Sequence, residues 1–192
     1  MLIGHRFYNE TKYSGLETNI PNSYMNPLLQ MYKYTPRLRN VALFHTATGC
    51  TVEDCLLCQM GYLFDMLEKA NGLNCQATNF LKTLSSSPNA ARHGVLEEDS
   101  SSSGSLTMMI QSLNRFLLDQ TIFERQKTSQ MLQWQSPDDA DLPQVFMIRA
   151  TKRQSCMICH KETRPMGDTV TTDLIYSPKV VFFTAPFLES SG

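Results

Sequence analysis

Apolar positions recur at helical spacing in several stretches of the chain. Between Val52 and Asn71, Leu56, Met60, Leu63, Phe64 and Leu67 lie four, three, one and three residues apart. That spacing puts them on one face of a helix. Glu53 and Asp54 fall in its expected first turn and Lys69 in its last, which suits the helix dipole. Gly72 is its stop signal. Gln76 to Leu84 predicts a shorter helix facing inward through Phe80, Leu81 and Leu84, broken by Ser85-Ser86-Ser87-Pro88. Leu106 to Phe123 predicts a second amphipathic helix with Met109, Ile110, Leu113, Phe116 and Leu117 on one side. Near the start, Leu28, Leu29, Met31 and Tyr32 form the apolar side of a short helix. Ser23 is its expected N-cap and Pro27 sits in its first turn. The helix is expected to end near Thr35-Pro36, and Val41 to His45 restarts an apolar run.

After Leu142 the period changes. Val145 and Met147 alternate with Phe146, Ile148 and Ala150, as in a strand. Thr169 to Tyr176, rich in threonine and β-branched residues, is a second strand candidate. The two would flank Cys156 to Gly167 as a hairpin-like excursion. Residues 97–105 read as an acidic, serine-rich loop. Residues 127–143 read as a loop in which Trp134 either pins the segment down or touches a partner. The expected layout is a lead-in over 1–14, one domain over 15–178 and a tail over 179–192.

Composition narrows the classes. The 192 residues are enough for one core, and 42% hydrophobic with 18% charged residues is ordinary for a globular domain. A net charge of −1 gives no general pull toward nucleic acid. No run of 18 apolar residues is present, so no membrane span is expected. The first residues are too short an apolar stretch for a signal peptide. With no secretion signal, the six cysteines read as reduced thiols or metal ligands rather than disulfides. That points to the cytoplasm or nucleus.

Two cysteine groups carry candidate chemistry. His45, Cys50, Cys55 and Cys58 form His-x4-Cys-x4-Cys-x2-Cys, four soft ligands within fourteen residues. Tetrahedral zinc takes such a set, and a helix N-terminus at Cys55 and Cys58 would favour the thiolates. The alternative is that these are core thiols on a helix face. Cys156 and Cys159 form a single knuckle, followed by His160, with no second CxxC after it; the alternative is an exposed, reduced turn. Cys75 stands alone and reads as a core thiol.

The stretch Gly15 to Gln30, Gly-Leu-Glu-Thr-Asn-Ile-Pro-Asn-Ser-Tyr-Met-Asn-Pro-Leu-Leu-Gln, resembles the nucleophile box of the ubiquitin-specific proteases. Gly15, Leu16, Asn19, Asn22, Tyr24, Asn26, Leu29 and Gln30 keep that pattern. In the family a cysteine attacks from a helix N-terminus and an upstream asparagine stabilises the oxyanion. Here one residue is missing between Asn22 and Tyr24, and Ser23 precedes Tyr24 where the family has its cysteine. A serine hydroxyl gains far less than a thiol from a helix end and needs a placed base. The box, with Asn19 and Ser23, therefore reads as degenerate, with Ser23 as a helix cap rather than a substituted nucleophile.

Three further segments follow in order: Cys-Leu-Leu-Cys-Gln-Met-Gly-Tyr-Leu-Phe-Asp-Met-Leu (55–67), Cys-Gln-Ala-Thr-Asn-Phe-Leu (75–81), and Cys156/Cys159 ahead of Asp-Leu-Ile-Tyr-Ser-Pro (173–178). With the Ile-Pro-Asn-Ser-Tyr variant of the box they resemble the family of catalytic subunits of poly(A)-nuclease (Pan) deadenylase complexes. The resemblance implies an α+β, papain-like or ubiquitin-specific-protease-like fold, mainly its helical half plus the first strands. It implies an inactive hydrolase-like domain that packs on a metal-dependent DEDD exonuclease, which trims mRNA poly(A) tails. A WD40 propeller precedes that domain in the family, and a partner subunit recruits the complex to poly(A)-binding protein. This chain is expected to carry only the front part of the hydrolase-like domain: Asp138, Asp139 and Asp141 lie in one loop, not on separate strands as a nuclease set would. His93 and His160 lack the setting of a triad histidine.

The competing function is a thiol-dependent, ubiquitin-protease-like hydrolase using Cys50 or Cys75. A third reading, RNA binding by Lys33, Arg37 and Arg39 with Tyr32 and Tyr34, involves only three charges; a solvated helix end is favoured instead.

Overall fold

The computed structural model describes residues 9–96, 106–132, 146, 148–151, 153–164 and 166–169. The expectations for residues 1–8, the 97–105 loop, Trp134, Asp138, Asp139, Asp141, Val145, Met147, the strand beyond Thr169, the segment 173–178 and the tail lie outside the described residues. A single 3-10 turn, Ser23–Met25, leads into α1 (Asn26–Tyr34) and α2 (Pro36–Ala47). They are followed by α3 (Leu56–Lys69), α4 (Thr78–Ser86), α5 (Pro88–Arg92) and α6 (Leu106–Leu132). Among the described residues four short strands follow: β1 (Ile148–Thr151), β2 (Gln154–Ser155), β3 (Glu162–Thr163) and β4 (Met166–Thr169). A helical body followed by a small antiparallel β element is the expected α+β arrangement.

Proline sets three of the helix starts. Pro27, Pro36 and Pro88 occupy the first turns of α1, α2 and α5, where a missing N–H costs nothing. α1 ends at Tyr34, as the Thr35-Pro36 pair suggested, and Pro36 itself begins a full twelve-residue helix. Ser23 does not cap α1: Met25 holds the cap position, and the Ser23 hydroxyl donates to the Thr18 carbonyl at 3.0 Å. α3 starts four residues later than expected. Asp54 adopts φ 51 and Cys55 is extended, so Glu53 and Asp54 lie in the preceding turn. Asn71 at φ 47 and Gly72 at φ 86 close α3 in the left-handed region. α4 begins and ends two residues later than expected, and α5 follows the serine-proline break.

α6 runs nine residues past Phe123, into the segment read as loop. Leu113, Phe116 and Leu117 face inward as expected, whereas Ile110 is exposed. Beyond Leu118 the buried positions of α6 become polar: Thr121, Glu124, Arg125 and Thr128.

The core joins Leu29 and Tyr32 of α1, Leu38, Val41 and Ala42 of α2, and Leu57, Met60, Phe64 and Leu67 of α3 to Phe80 and Leu84 of α4 and Leu113 and Leu117 of α6. α2 and α3 approach most closely at Gly61, where an added Cβ would lie 2.4 Å from the Ala42 carbonyl oxygen. Tyr32 donates to Asn114 Oδ1 at 2.7 Å, tying α1 to α6, and Tyr24 donates to the Val95 carbonyl. Leu16 pairs with Cys75 in a parallel bridge that fastens the chain ahead of α1 to the α3–α4 connection.

β1 pairs antiparallel with β4, Ile148 opposite Thr169 and Thr151 opposite Met166. β2 pairs with β3 between them. The expected excursion is thus a ladder interrupted once, with Cys156 and Cys159 at its far end. Among the described residues no helix is long and apolar enough to cross a membrane.

Candidate metal centre and degenerate nucleophile box

The end of α2, the loop after it and the start of α3 converge on one buried point. His45 is in the last turn of α2, Cys50 in the connection, Cys55 at the N-cap of α3 and Cys58 in its first turn. The four ligand atoms all lie within 4.8 Å of one another. Zinc–sulfur bonds near 2.3 Å place tetrahedral sulfurs about 3.8 Å apart, so a small contraction brings the set onto one ion. His45 Nε2 and Cys55 Sγ are already at 3.2 Å. Three thiols and an imidazole form a donor set suited to a borderline-soft divalent ion. These residues could hold a metal ion.

Burial shapes their protonation. It lowers the His45 imidazole to about 4, helped by the Arg125 charge, so the ring is neutral at pH 7. His45 Nδ1 is buried without a hydrogen-bond partner. Burial pushes the Cys58 thiol up to about 11 and raises Cys55 further, with the Glu124 carboxylate adding to the rise. A metal ion entering here must displace these thiol protons.

The spacing of the cysteines does not point to the carboxylate beside them. Glu124, on the buried face of α6, accepts from the Leu56 amide at 3.2 Å, the Leu57 amide at 2.7 Å and the Cys55 thiol at 3.3 Å. Gln120 Nε2 donates to it at 2.7 Å, and Thr128 Oγ1 lies 3.9 Å from Cys50 Sγ. Gln120, Glu124 and Thr128 recur every four residues, so they share one face of α6. That run of polar residues on an otherwise inward face is the signal that could have found them.

Cys156 and Cys159 are far more open. Both are exposed, and Met157 and Ile158 between them are 93% and 92% accessible. The Cys156 amide donates to the Lys161 carbonyl, the His160 amide donates to the Cys156 carbonyl, and His160 sits at φ 56. The Cys159 and Ile158 amides point at the Cys156 sulfur and draw its thiol below the ordinary range. Two exposed thiols at one hairpin end make the CxxC turn that the sequence spells, and no other potential ligand is grouped with them among the described residues.

At the box, Asn19 is exposed and Ser23 half-buried. The described histidines sit elsewhere: His45 in the metal cluster, His93 against the Phe116 ring and His160 at the hairpin end. Asn26 Nδ2 donates to the Glu17 carbonyl, which holds the box loop to α1. Cys75 is buried, with its thiol raised by that burial. The basic-aromatic group comes apart: Tyr32 is fully buried, Lys33 is buried, and Arg39 pairs with Glu68 at 2.8 Å.

A helical body carrying this box on the approach to α1, with a CxxC hairpin after it, defines a class: the chain belongs to the ubiquitin carboxyl-terminal hydrolase family, which matches residues 14–190. Its relatives narrow the class. Over 171 residues it is 49% identical to the PAN2-PAN3 deadenylation complex catalytic subunit pan2 of Aspergillus oryzae, covering 89% of this chain and 14% of that one. The PAN2 subunit of Phaeosphaeria nodorum is 47% identical over 178 residues, 91% of this chain and 15% of its own. Among solved structures, the Neurospora crassa Pan2 catalytic unit, described as protease and nuclease domain, superposes with a TM-score of 0.73 at 35% identity, covering 93% of this chain and 31% of that one. The Saccharomyces cerevisiae PAN2 pseudoubiquitin-hydrolase-RNase module gives 0.65 at 26% identity, covering 92% and 28%. The similarity is to the pseudoubiquitin-hydrolase domain of PAN2 subunits, and the chain spans about one-seventh of the length of these relatives.

Proposed function

We propose that this chain is a non-catalytic scaffold domain of a poly(A)-specific 3′-exoribonuclease complex that shortens mRNA poly(A) tails. The observation that carries the non-catalytic part is Ser23. It stands where the family's nucleophile belongs, and its hydroxyl donates to the Thr18 carbonyl. A serine bound to a main-chain oxygen, with no described histidine beside it, has no base to activate it. The other thiols do not replace it. Cys75 is buried and raised, and Cys50 belongs to the ligand cluster.

The metal we assign to His45, Cys50, Cys55 and Cys58 is zinc. Four protein ligands leave no open position, so the ion would staple α2 to α3 rather than activate water. Cys156 and Cys159 would supply two thiolates of a second, ribbon-type site. By analogy with the relatives' names, the partner is a PAN3-type subunit; the family resemblance adds poly(A)-binding protein, reached through that subunit, and a place in the cytoplasm, its processing bodies or the nucleus. Direct RNA binding is not assigned to this chain.

The test is a ubiquitin-conjugate cleavage assay, run beside labelling with thiol-reactive ubiquitin probes, on wild type and Ser23→Cys. Both proteins are expected to be silent. Turnover restored by Ser23→Cys, or native cysteine labelling, would replace the scaffold reading with that of a thiol hydrolase. A binding titration against the nuclease domain of the Neurospora crassa relative checks the scaffold role, which fails if no complex forms.

A further inference from the structure

We propose that Glu124 is the positioning residue of the metal centre: it caps α3 from the side and so holds Cys55, the residue just before the helix, in place to ligate. The inference rests on the metal-ligand reading of the cluster. The first amides of any helix lack partners within it, and the N-cap residue usually supplies one. In α3 that residue is Cys55, whose sulfur accepts from the Cys58 amide at 3.5 Å, an ordinary length for a bond to sulfur, and leaves the two amides before it to another acceptor. Glu124 takes those two from a helix 68 residues away in sequence, accepting from Leu56 N and Leu57 N. A carboxylate suits a helix N-terminus by charge as well as geometry.

The arrangement is anchored from behind. Gln120, one turn earlier on α6, donates to Glu124 Oε1 and fixes the rotation of the carboxylate. When a metal takes the Cys55 proton, the thiol contact to Glu124 is lost, but three nitrogen donors still hold the carboxylate. Cys55, at the junction of extended chain and helix, keeps its place 3.2 Å from His45 Nε2. Outer groups that orient metal ligands commonly change affinity by about 10–100-fold when removed.

The experiment uses the full chain. Zinc affinity is read by competition with a chelating indicator, and Co2+ loading by its visible thiolate absorption, for wild type, Cys55→Ser, Glu124→Ala, Glu124→Gln and Gln120→Ala. Wild type is expected to bind one equivalent, and Glu124→Ala to bind at least about tenfold more weakly. Glu124→Gln, whose side-chain oxygen still accepts from the Leu57 amide, should recover part of that loss. The gain in melting temperature between chelator-stripped and zinc-loaded protein should shrink in Glu124→Ala, whereas a purely structural cap would lower both states alike. Should Glu124→Ala fail to fold, Gln120→Ala gives the answer: a weakened affinity supports the proposal and an unchanged one overturns it. Equal or tighter binding by Glu124→Ala overturns the role of Glu124 alone. A wild type that binds no metal overturns the metal reading itself.

Discussion

His45 Nε2 lies 3.2 Å from Cys55 Sγ, and that contact joins the last turn of α2 to the residue that opens α3. The connection between the two helices is therefore closed by side chains, with Cys50 and Cys58 beside the contact. Purified protein is expected to carry one zinc per chain. Cys55→Ser should abolish it, and Cys156→Ser should leave the helical site occupied. Elemental analysis of the three proteins checks this. Zinc content unaffected by Cys55→Ser would reduce the cluster to core packing.

Chelator-stripped protein should lose stability as pH falls through the histidine range. The His45 ring is held at about 4 in the fold against an ordinary 6.5. Between these values the unfolded chain binds a proton that the folded one refuses. Stability is therefore full above pH 6.5, falls toward pH 4 and gains nothing more from this group below that. At about 1.4 kcal/mol per unit, the loss is on the order of 3 kcal/mol. Urea denaturation of wild type and His45→Gln across this range measures it; the part of the slope missing from the variant belongs to His45. Equal slopes would sink the assignment.

The same residues mark what could be read in the sequence. α3 was legible because most of its inward positions, from Leu56 to Leu67, are large and apolar. The convergence of His45, Cys50, Cys55 and Cys58 was legible because all four lie within fourteen residues. The second half of α6 was not, because its buried positions are Thr121, Glu124, Arg125 and Thr128. A hydrophobic period cannot register a helix whose inner face is polar. Three of those residues face partners distant in sequence: Glu124 the amides of α3, Arg125 the Phe44 ring at 4.9 Å and Thr128 the Cys50 sulfur at 3.9 Å. The break at Thr35-Pro36 was legible, since α1 ends at Tyr34, but the helix that Pro36 opens was not. A proline at a helix start carries no apolar period of its own, and the inward face of Leu38, Val41, Ala42 and His45 holds too few large apolar residues to announce the helix.

The Arg39–Glu68 pair should contribute little despite its two short contacts. Arg39 Nη2 reaches both carboxylate oxygens, at 2.9 and 2.8 Å, and the arginine lowers the Glu68 carboxyl. The arginine side chain is 36% and the glutamate 52% accessible, enough for water to screen the charges, and such solvent-screened pairs are worth at most about 1 kcal/mol. Arg39→Ala is expected to shift the urea midpoint only slightly, and less still in high salt. A large, salt-insensitive loss would mean that this pair holds α2 on α3.

Gly61 is where the α2–α3 contact is most vulnerable. A Cβ there would lie 2.4 Å from the Ala42 carbonyl oxygen and 2.5 Å from Thr46 Cγ2. The threonine can rotate; the backbone oxygen cannot. Alanine would add about 1 kcal/mol of helix preference to α3, but forcing two packed helices apart costs about 1–3 kcal/mol. Gly61→Ala is therefore expected to destabilise the protein on balance. Moving α2 away also moves His45 from Cys55 and Cys58, so zinc affinity should fall in the same variant. Gly49→Ala separates the two effects. Gly49 lies in the α2–α3 connection at φ 71, with nothing within 4 Å of an added Cβ, so its strain is local. Thermal melts and zinc competition on both variants provide the check. Lower stability with undiminished zinc affinity in Gly61→Ala would mean that the ligand cluster holds its geometry independently of the helix contact.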